Sequence, residues 1–251
     1  MIKIKTTEEL ARMRVSCGMA ASVRDAVAKA IKPGVTTLEL DDYARELIDK
    51  FGAKSAFYGY RGFPGYICVS VNDEVVHGIP GKRVVRIGDI LSVDFGVQYD
   101  GFIGDTATTV MVGVTDPEVI RLIDVTERAL MAAIDQAVEG NRLSDISHAV
   151  ESVAVAAGVG IVRDFVGHGI GRKMHEEPQI PNFGRPGRGP RLRAGMTFAL
   201  EPMLNVGTEE VEIMPDGWTV LTKDRRPSAH FEHTVAVGVE RAEILTVAEN
   251  A

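Results

Sequence analysis

The sequence predicts an α+β fold built from two similar halves, and three observations point that way. The order helix, helix, strands occurs twice along the 251 residues. Two helical segments framed by glycine, Gly34 to Gly52 and Gly140 to Gly158, each span 18 positions and lie 106 apart. The same shift carries Asp94, an acid in an apolar strand, to position 200, beside Glu201 in "TFALEPM". This period is too long for a solenoid; it suits two halves about a pseudo-twofold axis, with acids from both meeting in the middle.

The elements follow from local signals. Thr6 and Glu9 have capping-box spacing, so a helix is expected from there to about Ile31, where "KPG" at 32–34 stops it. Thr36 and Glu39 repeat the spacing and open a second helix, which ends at Gly52 and has Leu38, Tyr43, Leu47 and Phe51 among its apolar positions. "YICVSVNDEVV" at 66–76 reads as strand, loop and strand, and residues 90–111 hold two more strands. Asp116 and Pro117 read as the N-cap and first residue of a third helix ending near Gly140. Ser144 opens a fourth, ending at Gly158. Beyond it, strands alternate with loops rich in glycine and proline, among them "GHGIG" and "NFGRPGRGP".

Composition narrows the function. A formal net charge of -7 argues against a sequence-independent nucleic-acid binder, so no direct nucleic-acid partner is expected. It is compatible with a site that collects carboxylates around metal ions. The two cysteines, Cys17 and Cys68, form no Cys-x-x-Cys motif and read as reduced thiols. The opening "MIKIKTTEELARMRVSCG" lacks a continuous apolar segment, and no run of 18 apolar residues occurs. Neither a secretion signal nor a membrane span is expected, and the cytoplasm is the expected location.

The chemistry gathers in "LSVDFGVQYDGFIGDTATTV", 91–110. The Asp100-Gly101 turn pairs position 94 with 107 and 96 with 105, so Asp94 and Asp105 leave the same face of the sheet. Buried carboxylates are costly unless paired, and two so close repel unless a proton or cation lies between them. The exposed face of a surface hairpin would show the same pattern. The second half adds Glu201 at the end of an apolar strand and Glu232 inside another, with His230 and His233 beside it; "FVGHGIGRKMHEEP" adds His168 and His175. Two Asp, two Glu and one His make an oxygen-rich set for two divalent ions of the Mn, Fe, Co or Zn kind.

In their order and gaps, the blocks "VVHGIP", "SVDFGVQYDGFIGDTATT", "VGHGIGRKMHEEP", "GMTFALEPM" and "FEHTVAV" resemble type I methionine aminopeptidase, of the pita-bread fold and peptidase family M24. The resemblance covers essentially the whole chain and fits the short, bacterial-like form. It implies a curved, mainly antiparallel sheet covered by helices, in a single catalytic domain over 1–251 with halves at about 1–112 and 113–251. It implies a dinuclear site for two divalent ions (Co, Mn, Fe, Zn or Ni), with Asp94 on one metal, Asp105 and Glu232 bridging both, and His168 and Glu201 completing the other. A metal-activated water would attack the scissile carbonyl, Glu201 would shuttle its proton to the leaving amine, and His77 and His175 would polarise the carbonyl or hold the amide.

The same resemblance places the methionine side chain among Phe57, Tyr60, Phe63, Cys68, Met174 and Trp218, a soft and polarizable wall, and counts His77 and His175 as substrate-binding residues beside it. The implied substrates are the N-terminal Met-peptides of nascent proteins with a small second residue, so the start Met1-Ile2 should itself be left uncut. A monovalent Na or K ion near Asn72 and Ser228, docking on the ribosome and a monomeric state are further expectations. Two positions depart from the family: His230 stands where glutamine is common, and Met174 where an aromatic is frequent. Those departures bear on the pH profile and on pocket shape. Xaa-Pro aminopeptidases and prolidases share the five-ligand pattern but usually carry an additional N-terminal domain. A metal-free binding module on this fold would have lost ligands, whereas here all five positions are filled.

Overall fold

A computed structural model describes residues 2–248; Met1, on which the expectation about the chain's own start rests, lies outside them. The four expected helices are present: α1 (Thr7–Ala30), α2 (Thr37–Lys50), α3 (Pro117–Gln136) and α4 (Leu143–Ala157). Both predicted capping boxes form, with Thr6 and Thr36 accepting from the N–H groups of Glu9 and Glu39. Asp116 caps α3 through the Glu118 N–H, with Pro117 behind it.

Three helix details differ from expectation. The α3 helix stops at Gln136, four residues before Gly140, because Asn141 Nδ2 takes the Gln136 carbonyl at 3.0 Å and Val138 bridges to Gly238. The N-cap of α4 is Arg142 rather than Ser144; the Asp145 carboxylate accepts the Arg142 N–H at 2.7 Å. Along α2 the buried stripe is Leu40, Ala44 and Ile48, while Leu38 and Phe51 are exposed.

The main sheet has nine strands. In chain order they are β1 (Lys54–Ser55), β2 (Cys68–Val71), β3 (Ile90–Tyr99), β4 (Phe102–Met111), β5 (Gly167–Gly169), β6 (Glu176–Ile180), β7 (Thr197–Leu200), β8 (Glu232–Ala236) and β9 (Glu243–Ile244). Across the sheet the order is β1-β3-β4-β8-β7-β5-β6, with β2 also on β3 and β9 also on β8, and every pairing is antiparallel. The turn at Asp100 and Gly101, both at positive φ (47° and 76°), gives the register expected of it, with Asp94 opposite Ala107 and Gly96 opposite Asp105.

The two halves meet at the β4–β8 seam, with β3 and β7 flanking it symmetrically. Moving α2 by 106 positions gives 143–156, within one residue of α4. Along β3, Leu91, Val93, Phe95 and Val97 point to the core beneath α1 and α2, which leaves Ser92, Asp94 and Gly96 on the other face. The larger second core packs α3 and α4 against β7 and β8 through residues such as Leu122, Leu130, Phe198 and Val235. Both helical pairs thus cover one side of the sheet and leave its other side to the polar residues. A small sheet carries Trp218 in the turn between Val211–Ile213 and Val220–Thr222. Among the described residues no helix is long and apolar enough to cross a membrane.

Candidate active site

Strand register alone puts the acids in one row. Cys68 faces Asp94, Asp94 faces Ala107, and Ala107 faces Glu232 on the next strand. Residues directly opposite share a face of the sheet, and so do residues two apart on one strand, which adds Asp105. His233 faces Leu200, so Glu201 follows in line with Glu232; His168 faces Ala199, two before Glu201. Five metal-type side chains, four on strands and Glu201 just past the end of one, therefore converge on one side. The small Ala107 between Asp94 and Glu232 leaves the space above it open.

Several polar atoms here have no partner. Asp94 Oδ1, Asp105 Oδ1, Glu232 Oε1 and His230 Nε2 are buried and lack a hydrogen-bond partner among the described residues. Burial, and then mutual repulsion, pushes the Asp94, Glu201 and Glu232 carboxyls well above the usual carboxylate range. Burial pushes Asp105 up to about 7. His168 Nδ1 lies 3.0 Å from the Gly169 carbonyl, which only an N–H can satisfy. Its Nε2 therefore presents a lone pair, 3.4 Å from Glu201 Oε1 and 3.8 Å from Asp105 Oδ2. Burial holds that ring neutral by lowering its pKa to about 4. A lone pair facing two carboxylates is a ligand's arrangement, and Asp105, His168 and Glu232 offer donor atoms within 4.8 Å of one another. The donor set fits divalent cations: oxygen-rich, with one imidazole.

These five side chains floor a cavity of about 280 Å³. Every residue expected at the site lines it: Asp94, Asp105, His168, Glu201 and Glu232 below, and Phe57, Tyr60, Phe63, Cys68, His77, Met174, His175 and Trp218 around. His77 stands at φ 59°, a left-handed backbone that a non-glycine residue adopts only where its surroundings impose it. Its ring meets Phe165 edge-on at 5.5 Å and Trp218 at 6.1 Å, and burial lowers its pKa to about 4, so it is neutral. His175 Nδ1 pairs with the Tyr60 hydroxyl at 2.9 Å, and its ring lies 4.3 Å from that of His168, tilted by 49°.

Cys68, opposite Asp94, keeps its proton, because burial raises its pKa well above the ordinary thiol value. The wall also depends on Gly96. A Cβ there would lie 2.5 Å from Phe57 Cε1 and 2.7 Å from Met174 Cε, so the missing side chain is what lets those two residues close over the site.

Sequence reasoning missed Arg61, Val76, Phe165 and Val166, which also line the cavity, and treated His230 as a departure rather than a wall residue. Three of them had a visible signal: Arg61 sits between glycines in "GYRGF", and Phe165 and Val166 precede "GHG". The Asn72 carbonyl accepts the Ser228 N–H at 2.9 Å, and the nearby Asn205 Oδ1 has no partner among the described residues.

The model of metallopeptidase family M24 matches residues 11–238. The methionine aminopeptidase of Clostridium acetobutylicum is 48% identical over 250 residues, covering 99% of this chain and all of that protein. The crystal structure of methionine aminopeptidase from Rickettsia prowazekii superposes with a TM-score of 0.97 at 42% identity, over 98% of this chain and 100% of that one. The prolidase from Pyrococcus furiosus superposes with a TM-score of 0.80, at 22% identity and over 66% of its own length; that likeness is one of fold alone.

Proposed function

The chain belongs to the metallopeptidase family M24 and, within it, to the methionine aminopeptidases, and from that premise we propose how its site removes an N-terminal methionine. The observation that carries the reading is the single-face row of Asp94, Asp105, Glu232, Glu201 and His168 at the floor of a mostly apolar cavity. These five side chains would hold two divalent ions, whose Lewis acidity would polarise the substrate carbonyl and lower the pKa of a water.

The remaining steps belong to side chains. The substrate's free ammonium meets the acidic floor, which restricts cleavage to chain ends. The methionine thioether lies against Phe63, Cys68, Met174 and Trp218. His77, neutral by burial, donates to the substrate from one side. With Tyr60 O–H on its Nδ1, His175 donates through Nε2 from the other, and both stabilise charge that develops in the transition state. Glu201, a carboxylate at the cavity floor, carries the proton from the attacking water to the leaving amine. The crowding of His168 against His175 favours a small second residue.

We further infer that the enzyme is a dinuclear, monomeric single catalytic domain. It acts in the cytoplasm on nascent chains, with the ribosome as docking partner, and holds a monovalent ion near Asn72 and Ser228. The metals are of the Co, Mn, Fe, Zn or Ni class. The test is a paired assay with metal titration. Purified protein given Mn²⁺ or Co²⁺ should release methionine from Met-Gly and Met-Ala peptides and leave Xaa-Pro peptides intact. Cleavage of Xaa-Pro with Met-Ala left uncut would overturn the reading.

A further inference from the structure

Lysine and glutamate are rarely buried unless paired. The side chains of Lys5 and Glu176 are only 5% and 7% exposed, and they pair at 2.8 Å across 171 positions of the chain. Glu176 directly follows His175, and its carboxylate is fully committed. Oε2 accepts from Lys5 Nζ, while Oε1 accepts the main-chain N–H of Arg172 at 3.0 Å and of Lys173 at 3.4 Å, which folds the 171–176 loop back on itself. Lys5 is anchored in turn: its N–H donates to the Gly195 carbonyl at 2.8 Å, and Ile4 bridges to Met196. Its stem passes so close to Gly171 that a Cβ there would lie 2.6 Å from Lys5 Cε. The far end of the loop is pinned by Ile103 N–H on the Gly171 carbonyl at 2.9 Å. Between these anchors the loop presents Met174 and His175 to the cavity.

We propose that the Lys5–Glu176 ion pair is a positioning device for the catalytic loop: the N-terminal segment, through Lys5, sets where His175 stands over the substrate. This rests on the reading of His175 as a substrate-facing donor. Misplacing such a group by about an ångström costs on the order of 100-fold in rate. Neither residue touches the cavity floor, so both act through His175 rather than on the substrate.

The test is a kinetic cycle on the metal-loaded full chain, with a Met-Ala-Ser peptide and with thermal melting followed in parallel. Glu176→Gln should lower kcat by about 10- to 100-fold with KM nearly unchanged. In a His175→Ala background the same substitution should have almost no further effect, because the group it positions is gone. An unchanged kcat in Glu176→Gln, or an equal further loss in the His175→Ala background, would overturn the proposal. If Glu176→Gln leaves Lys5 too costly to bury and the protein fails to fold, Lys5→Met/Glu176→Gln removes both charges and takes its place in the cycle. If the wild type releases no methionine at all, the functional reading fails instead. Positioning is then judged from long-range proton–nitrogen spectra of the rings: His175 signals moved by Glu176→Gln while those of His148 stay would support it, and unmoved His175 signals would overturn it.

Discussion

The Thr234 hydroxyl holds both main-chain groups of Asp105: it accepts the Asp105 N–H at 3.1 Å and donates to the Asp105 carbonyl at 2.8 Å. Thr234 belongs to β8 and Asp105 to β4, so one side chain locks the seam between the halves at a candidate bridging ligand. Two more hydroxyls continue the stitching, Thr106 Oγ1 to the Glu232 carbonyl and Thr109 Oγ1 to the His230 carbonyl, each at 2.8 Å. Thr234→Val would leave two buried main-chain groups unpaired, a loss of about 2–4 kcal/mol in urea unfolding. Thr234→Ser should recover most of it. A valine variant as stable as wild type would show that the hydroxyl carries no load.

The metal-free protein should lose stability as pH rises from about 6.5 to 8, by the following linkage. The four carboxylates of the floor are raised in the fold, so the stability tied to them is complete below the usual carboxylate range. It is lost as pH climbs through about 7 for Asp105 and higher for Asp94, Glu201 and Glu232. The buried histidines act oppositely. His77 and His168 fall to about 4 and His230 to about 3, so their contribution grows with pH up to their ordinary value near 6.5 and is flat beyond it. Above that point only the carboxylates remain. Melting of chelated protein checks the slope, and saturating Mn²⁺ should flatten it. A metal-free midpoint that holds or rises over this range would refute the argument.

Asp94→Asn and Glu201→Gln should each abolish methionine release while the fold survives. In the metal-free protein at pH 8 both should also raise the melting midpoint, because each removes a charge from a repulsive buried cluster. Turnover near wild type in either variant would refute the assigned roles.

Gly96→Ala should narrow the methionine pocket. The new Cβ meets the far ends of Phe57 and Met174, which can give way, so folding should persist while KM for Met-peptides rises about 10- to 200-fold. An unchanged KM would show that the wall rearranges freely.

What could be read in advance was local. Capping boxes at Thr6 and Thr36 and the Asp100-Gly101 turn are written within a few residues, and the turn alone set the register that puts Asp94 and Asp105 on one face. Motif order named the remaining ligands. What could not be read depends on partners distant in sequence. The end of α3 is decided by Asn141 and Gly238, and the role of Gly96 by Phe57 and Met174. The double grip of Thr234 on Asp105 spans 129 positions, and nothing local in "FEHTVAV" announces it. Arg61 and Phe165 reach the cavity through loops whose course no periodicity describes.

The seam between β4 and β8 also decides when the site can exist. Two of the five converging groups precede the division between the halves and three follow it, with Glu232 near the end of the chain. A growing polypeptide that has delivered Asp94 and Asp105 holds two acids with nothing opposite them, and the set closes only when β8 arrives to pair with β4. Translation products truncated before β8 should therefore be inert. Two separately expressed halves would acquire metal affinity only by docking, which makes activity itself a reporter of their association.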